Sequence, residues 1–206
     1  MSVNLADHYE CLFNEVLVDT AVRLAVHLRS CLEDVPHVDA VVARAKSPQR
    51  FAAKALKQAN GNLKYTNPLV QVQDQIGARV TVLYLSDVDE AKIAIANYFH
   101  AIEWQNKKPD GDSEFGYFGD HYILALPDDV IADGQESRVP KFFELQIKTL
   151  FQHAWSEAHH DIGYKAPREL TSLERRQMAF SAAQAWGADQ IFGALARDLA
   201  ANDDQS

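Results

Sequence analysis

The sequence predicts an α+β fold, a mixed β-sheet with flanking helices that is extended by one helix at each end. Three observations predict it. Segments rich in β-branched residues or alternating in polarity recur at 38–45, 78–85, 123–126 and 142–148, with the side-chain period of strands. Long stretches at 5–32 and 172–199 instead repeat apolar residues at helical spacing. At Thr149 one period passes directly into the other, so a strand feeds a helix without a loop.

The 206 residues suit a single domain, with a core over about 38–165, a first helix over about 5–33 and a last one over about 170–200. A composition with 47% hydrophobic and 24% charged residues is that of an ordinary globular chain. The start of the chain lacks a basic region followed by an apolar core, and no stretch approaches the roughly 18 apolar residues of a membrane span. A soluble, cytoplasmic protein with no membrane partner is expected. The net charge of −9 disfavours non-specific adhesion to nucleic acid while leaving room for a local basic patch. Cys11 and Cys31 lack metal or redox spacing and read as small buried hydrophobes.

Taken in order, Leu12, Val16, Leu24 and Leu28 define an amphipathic opening helix that packs on the core, and Pro36 prevents its continuation. The valine-rich 38–45 is a strand. Ser47 and Pro48 then supply a capping hydroxyl and a proline at the first helical position, for a helix running to the Asn60-Gly61 stop. Arg44, Lys46 and Lys54 gather near that helix start, an arrangement suited to polyphosphate and equally typical of a solvated basic turn. A short helix at 68–76 leads to the strand 78–85. Asp74 at its mouth can hold Mg²⁺ through oxygen or merely cap the turn, and Gly77 allows a sharp bend. Ser86 caps a helix over 87–98. A strand at 101–105 and a polar loop at 106–114 follow. Two glycines then flank an aromatic pair before the strand 123–126, so Tyr117 either stacks on a base or fills the core of a turn. In the last helix Phe180, Trp186, Ile191 and Leu195 are the packing residues, and Gly187 and Gly193 are candidate bends.

The densest polar-aromatic stretch is 141–165. Alternation puts Phe142, Glu144, Gln146 and Lys148 on one face of its strand and Phe143, Leu145 and Ile147 on the other. A lone Glu on such a face is as well explained by solvent as by chemistry. In the helix, His153, His159, His160 and Asp161 invite a zinc reading, but adjacent helical residues point in different directions, which favours structural or substrate-positioning roles.

These pieces resemble the RelA/SpoT-type alarmone synthetases. E-L-Q-I-K-T at 144–149, followed by H-A-W at 153–155 and Y-K at 164–165, is similar to that family's signature strand and helix. Arg44-Ala45-Lys46-Ser47 with Lys54 resembles its donor-binding element, Asp74 to Arg79 its D-x-x-G-x-R, and Gly116 to His121 its G-Y-x-x-x-H acceptor loop. The matches keep the family's order over 38–165. The resemblance implies a nucleotidyltransferase-like fold and an ATP pyrophosphokinase that moves the β,γ-diphosphate of ATP to the 3′-hydroxyl of GDP or GTP. It implies Mg²⁺ on Asp74 and Glu144, with Glu144 also accepting the hydroxyl proton. Arg44, Lys46, Ser47, Lys54 and Arg79 would bind the donor ATP, and Tyr117, His121, Gln146 and Lys148 the acceptor. The family's upstream hydrolase region has no counterpart, so synthesis without degradation is expected. Other readings stay open: a toxic small synthetase acting on the 3′-terminal adenosine of tRNA through a patch of Lys141, Lys148, Lys165, Arg168, Arg175 and Arg176, one making adenosine alarmones, or an inactive nucleotide-sensing or partner-binding module. An antitoxin partner and an oligomer are also open.

Overall fold

The computed structural model describes residues 5–109, 111, 114–116, 119–165 and 167–203. The opening helix forms where its apolar spacing requires, as α1 (Leu5–Leu12) and α2 (Val18–Cys31) joined by a π-helical turn at Phe13–Leu17. The wider turn lets Val16 and Leu17 both stay buried beside Leu12, Leu24 and Leu28. Cys31 is buried as expected. Cys11 is exposed, because it sits on the solvent side of α1 with its thiol toward Arg138.

After β1 (Val38–Ala45), helix α3 covers Pro48–Ala55, shorter than the expected run to Asn60. The reason is local. Asn60 and Gly61 both take positive φ, 51° and 80°, and form the turn of a small hairpin between β2 (Gln58–Ala59) and β3 (Asn62–Leu63). An Asn-Gly pair is a hairpin signal before it is a helix stop. Helix α4 is only Pro68–Gln71, and the next strand, β4, starts earlier than expected, at Ile76–Val82. Helix α5 spans Leu85–Tyr98, and the Asp87 carboxylate, rather than Ser86, closes its start by accepting from the Tyr84 N–H at 3.0 Å. β5 (Ala101–Lys107) pairs with β6 (Gly119–Ala125), so His121 lies in a strand and not in the loop before it. β7 (Phe142–Thr149) runs directly into α6 (Leu150–Lys165), as the change of period at Thr149 predicts. A 32-residue helix, α7 (Ser172–Asp203), closes the chain without interruption at Gly187 or Gly193.

The five long strands make one mixed sheet in the order β1-β4-β7-β6-β5, with β4 and β7 parallel and the other neighbours antiparallel. This is the α+β architecture expected. On one face Ile76, Ala78, Val80, Val82, Phe143, Leu145 and Ile147 are buried, and α2 packs over β1 and β4 while α5 packs over β7. The other face carries the polar side of β7 and is flanked by α6, which in turn packs on α7. Of the packing residues expected of α7, Phe180 and Ile191 are 65% and 62% exposed and Leu195 about half so, whereas Trp186, also about half exposed, packs edge-on against Phe115. Its packing face is the row of Ala182, Trp186, Asp189 and the Phe192 ring, which stacks on Phe151. No helix among the described residues is long and apolar enough to cross a membrane.

Candidate active site

Strand register assembles the polar face. On β7, Glu144 lies opposite Gly77 of β4 and Ile123 of β6, and Gln146 lies opposite Arg79 and His121. Gly77 adopts regular strand geometry rather than a sharp bend. An added Cβ there would meet nothing within 4 Å, so the glycine keeps the floor beside Glu144 open.

The cationic wall comes from the β1–α3 junction. Ser47 caps α3, its hydroxyl accepting from the Arg50 N–H at 3.4 Å, and both residues line the cleft. The junction is pinned from two sides: the Lys46 N–H donates to Gln75 O at 2.8 Å, and the Tyr9 hydroxyl donates to Lys46 O at 2.9 Å. Tyr9 also stacks flat on Phe51 of α3, with ring centroids 3.7 Å apart. The Lys46 and Lys54 ammonium groups converge on Asp74 Oδ2 at 3.0 and 2.7 Å. Asp74 Oδ1 is buried and has no hydrogen-bond partner.

Glu144 Oε1 lies 2.7 Å from His121 Nδ1. Burial alone would raise its pKa, but the hydrogen bond and charge of His121, with smaller help from Lys107 and Gln146, together hold it below the ordinary Glu value. Arg79 reaches Glu157 of α6 at 3.3 Å. Beneath it Lys148 is buried, donating to Ser156 Oγ at 3.3 Å, and burial followed by the Arg79 charge pushes its pKa down to about 8. Burial and Arg79 likewise lower the pKa of His153, whose Nδ1 lies 3.9 Å from Glu157.

Asp74 and Glu144 stand where two spaces meet. A cleft of about 580 Å³ holds them with Arg44, Lys46, Ser47 and Arg79, and an adjoining one of about 400 Å³ holds them with Lys54, Lys64, Tyr65 and Gln73. Among the described residues no three acidic, His or Cys side chains form a metal cage. An orphaned carboxylate oxygen on Asp74 with a second carboxylate in the same cleft still suits Mg²⁺, which keeps several waters and takes substrate phosphate oxygens.

Of the residues expected from the sequence, Arg44, Lys46, Ser47, Lys54, Asp74, Arg79, Glu144, Gln146 and His121 come together here. Of the basic patch read for an RNA stem, Lys148 lies below the cleft and not on the surface, and the exposed Arg168 is paired with Glu174 at 2.7 Å. Tyr117 lies outside the described residues. Reading the sequence missed Tyr9, Arg50 and Glu157, and it weighed His153 only with His159, His160 and Asp161, not with Glu157. His153 and Glu157 are one helical turn apart on the H-A-W helix, a signal available in the spacing.

A family model for a region found in RelA / SpoT proteins matches residues 43–169. A search of curated proteins finds no match. Among solved structures, a GTP pyrophosphokinase family protein from Streptococcus pneumoniae is 18% identical with a TM-score of 0.72, over 96% of each chain. Small alarmone synthetase 1 from Bacillus subtilis bound to its product pppGpp is 17% identical with a TM-score of 0.69, over 94% of this chain and 97% of that one. The same Bacillus protein bound to AMPCPP is 16% identical with a TM-score of 0.66, over 94% of this chain and 96% of the other. At these identities the likeness is one of fold.

Proposed function

The chain belongs to the RelA/SpoT family, and from that premise we propose that it is an ATP pyrophosphokinase that transfers the β,γ-diphosphate of ATP to the 3′-hydroxyl of GDP or GTP, releasing AMP. The observation that carries this reading is that Asp74 and Glu144 are shared by two adjoining spaces, one of them walled by cations at a helix start. Two substrates meeting at one pair of carboxylates is what a transfer between nucleotides needs. That the Bacillus relative binds AMPCPP and pppGpp supports the same donor and acceptor classes here.

In this reading Arg44, Lys46, Ser47, Lys54 and Arg79 hold and neutralise the donor phosphates, from which phosphoryl transfer gains most of its rate. Tyr117, His121 and Gln146 orient the acceptor. The acceptor 3′-oxygen attacks the β-phosphorus, the bond from that phosphorus to the bridging oxygen of the α-phosphate breaks, and the hydroxyl proton passes to the ionised Glu144. Asp74 and Glu144 would hold Mg²⁺, which when bound would supply neutralisation of the charge on the phosphates. The test is to incubate the chain with γ-labelled ATP and GDP, GTP, ATP or deacylated tRNA in separate reactions. Label on GDP or GTP is the expected result; label only on tRNA or on ATP would overturn the acceptor assignment.

A further inference from the structure

The mechanism leaves one buried acid unused. Asp189, in the middle of α7, is 3% exposed, and its Oδ2 accepts from the Thr149 hydroxyl at 2.8 Å while Oδ1 is buried with no hydrogen-bond partner. Thr149 is the last residue of β7, the strand that carries Glu144 and Gln146. It also caps α6, because its Oγ1 accepts from the Gln152 N–H at 3.1 Å and its own N–H donates to Gln152 Oε1 at 3.1 Å. One turn before Asp189, Trp186 meets Phe115 edge-on, with ring centroids 5.7 Å apart, and Phe115 begins the segment that enters β6. Leu85, Gly116, Gln152, Trp155 and Gln190 close a space of about 30 Å³ around Trp186 and Asp189, and Asp189 is the one ionisable group among the residues lining it. A single face of α7 thus touches both the end of the site strand and the start of the proposed acceptor loop.

We infer that α7 positions the acceptor side of the site, Asp189 acting through Thr149 on the β7–α6 junction and Trp186 acting through Phe115, ahead of β6, the strand that carries His121. Asp189 and Trp186 are positioning residues; neither reaches the donor cations. This rests on the pyrophosphokinase reading above. It also makes acceptor affinity sensitive to protonation. Burial pushes the Asp189 pKa up to about 6, against the opposing hydrogen bond from Thr149, so the docked helix favours the neutral acid. Docking weakens as pH rises from the ordinary carboxylate value toward 6.

The test compares the full-length wild type with Trp186→Ala, Trp186→Phe and Asp189→Asn, measuring KM for ATP and for GDP between pH 5 and 7.5 alongside thermal unfolding. Trp186→Ala is expected to raise the GDP KM roughly three- to tenfold, on the scale of a lost aromatic contact, with the ATP KM unchanged within twofold and Trp186→Phe restoring most of the loss. The ratio of wild-type to Asp189→Asn GDP KM is expected to rise as pH goes from 5 to 7, other titrating groups cancelling in the ratio. If the variants move both KM values alike, or only lower the melting temperature, α7 is structural and the inference fails. If Asp189→Asn does not fold, an unchanged GDP KM in Trp186→Ala is sufficient to overturn it. No transfer by the wild type to any acceptor would overturn the reaction reading itself, and this inference with it.

Discussion

Glu144 is kept ionised in a place that would otherwise favour its neutral form, and a single histidine does most of this. Removing that partner in His121→Ala lets burial dominate, so the acid limb of the kcat profile should move to higher pH; a limb that stays put would show that His121 does not set the Glu144 charge. For the carboxylates themselves, Asp74→Asn and Glu144→Gln should each lower kcat by at least about a hundredfold, the size of losing several kcal/mol of charge stabilisation, with melting temperatures preserved. Near-wild-type turnover in either would remove them from the chemistry. Lys148 tests the opposite sign. A lysine with a folded pKa near 8 opposes folding fully below that pH, where its charge is buried, and ceases to do so above its ordinary value of 10.5. Lys148→Met should therefore be more stable than wild type at pH 7 by up to about 3 kcal/mol, with the advantage gone by about pH 10.5. A destabilised Lys148→Met at pH 7 would contradict this. None of these environments is visible in a one-dimensional pattern. Alternation put Glu144 and Lys148 on the same face, but only the cross-strand register sets one beside His121 and the other beneath Arg79.

Elements were legible where one local signal had no rival. The β7–α6 junction changes period at Thr149, and Ser47-Pro48 begins α3 with cap and proline together. Elements were misjudged where two signals competed. Asn60-Gly61 terminates helices and also turns hairpins, and the hairpin prevailed because Gln58 and Ala59 pair with Leu63 and Asn62. Contacts between distant elements left no trace, which is why Tyr9 went unnoticed. Its hydroxyl braces the Lys46 carbonyl from 37 residues away, and its ring stacks on α3. Tyr9→Phe keeps the stack and loses one hydrogen bond, so it should cost about 1 kcal/mol and raise the ATP KM a few-fold by loosening the Lys46 backbone. Tyr9→Ala should cost about 3–5 kcal/mol. A Tyr9→Phe enzyme with wild-type ATP kinetics would confine this residue to packing.

For the molecule as a whole, the fold class and most of the residues that gather at the cleft could be read from the sequence, whereas the surface could not. Phe180 and Ile191 looked like core residues because a helical repeat identifies a face without saying what covers it, and both are largely exposed. Phe180→Ser or Ile191→Ser should change stability by less than about 0.5 kcal/mol, and a loss above 2 kcal/mol on thermal or urea unfolding would mean that the face is covered in solution. The charge is equally uneven. A chain of net −9 concentrates cations in one cleft, and there it brings its own counter-ion, since Lys46 and Lys54 both rest on Asp74. If the donor triphosphate takes these lysines as proposed, it has to displace an internal carboxylate, and nucleotide uptake becomes a competition between two anions for the same ammonium groups. Asp74→Asn removes the competitor. It should hold a metal-free, non-hydrolysable ATP analogue more tightly than wild type in the presence of a chelator while remaining unable to turn over, becoming a trap for the donor. Equal or weaker retention would mean that the two lysines never exchange partners.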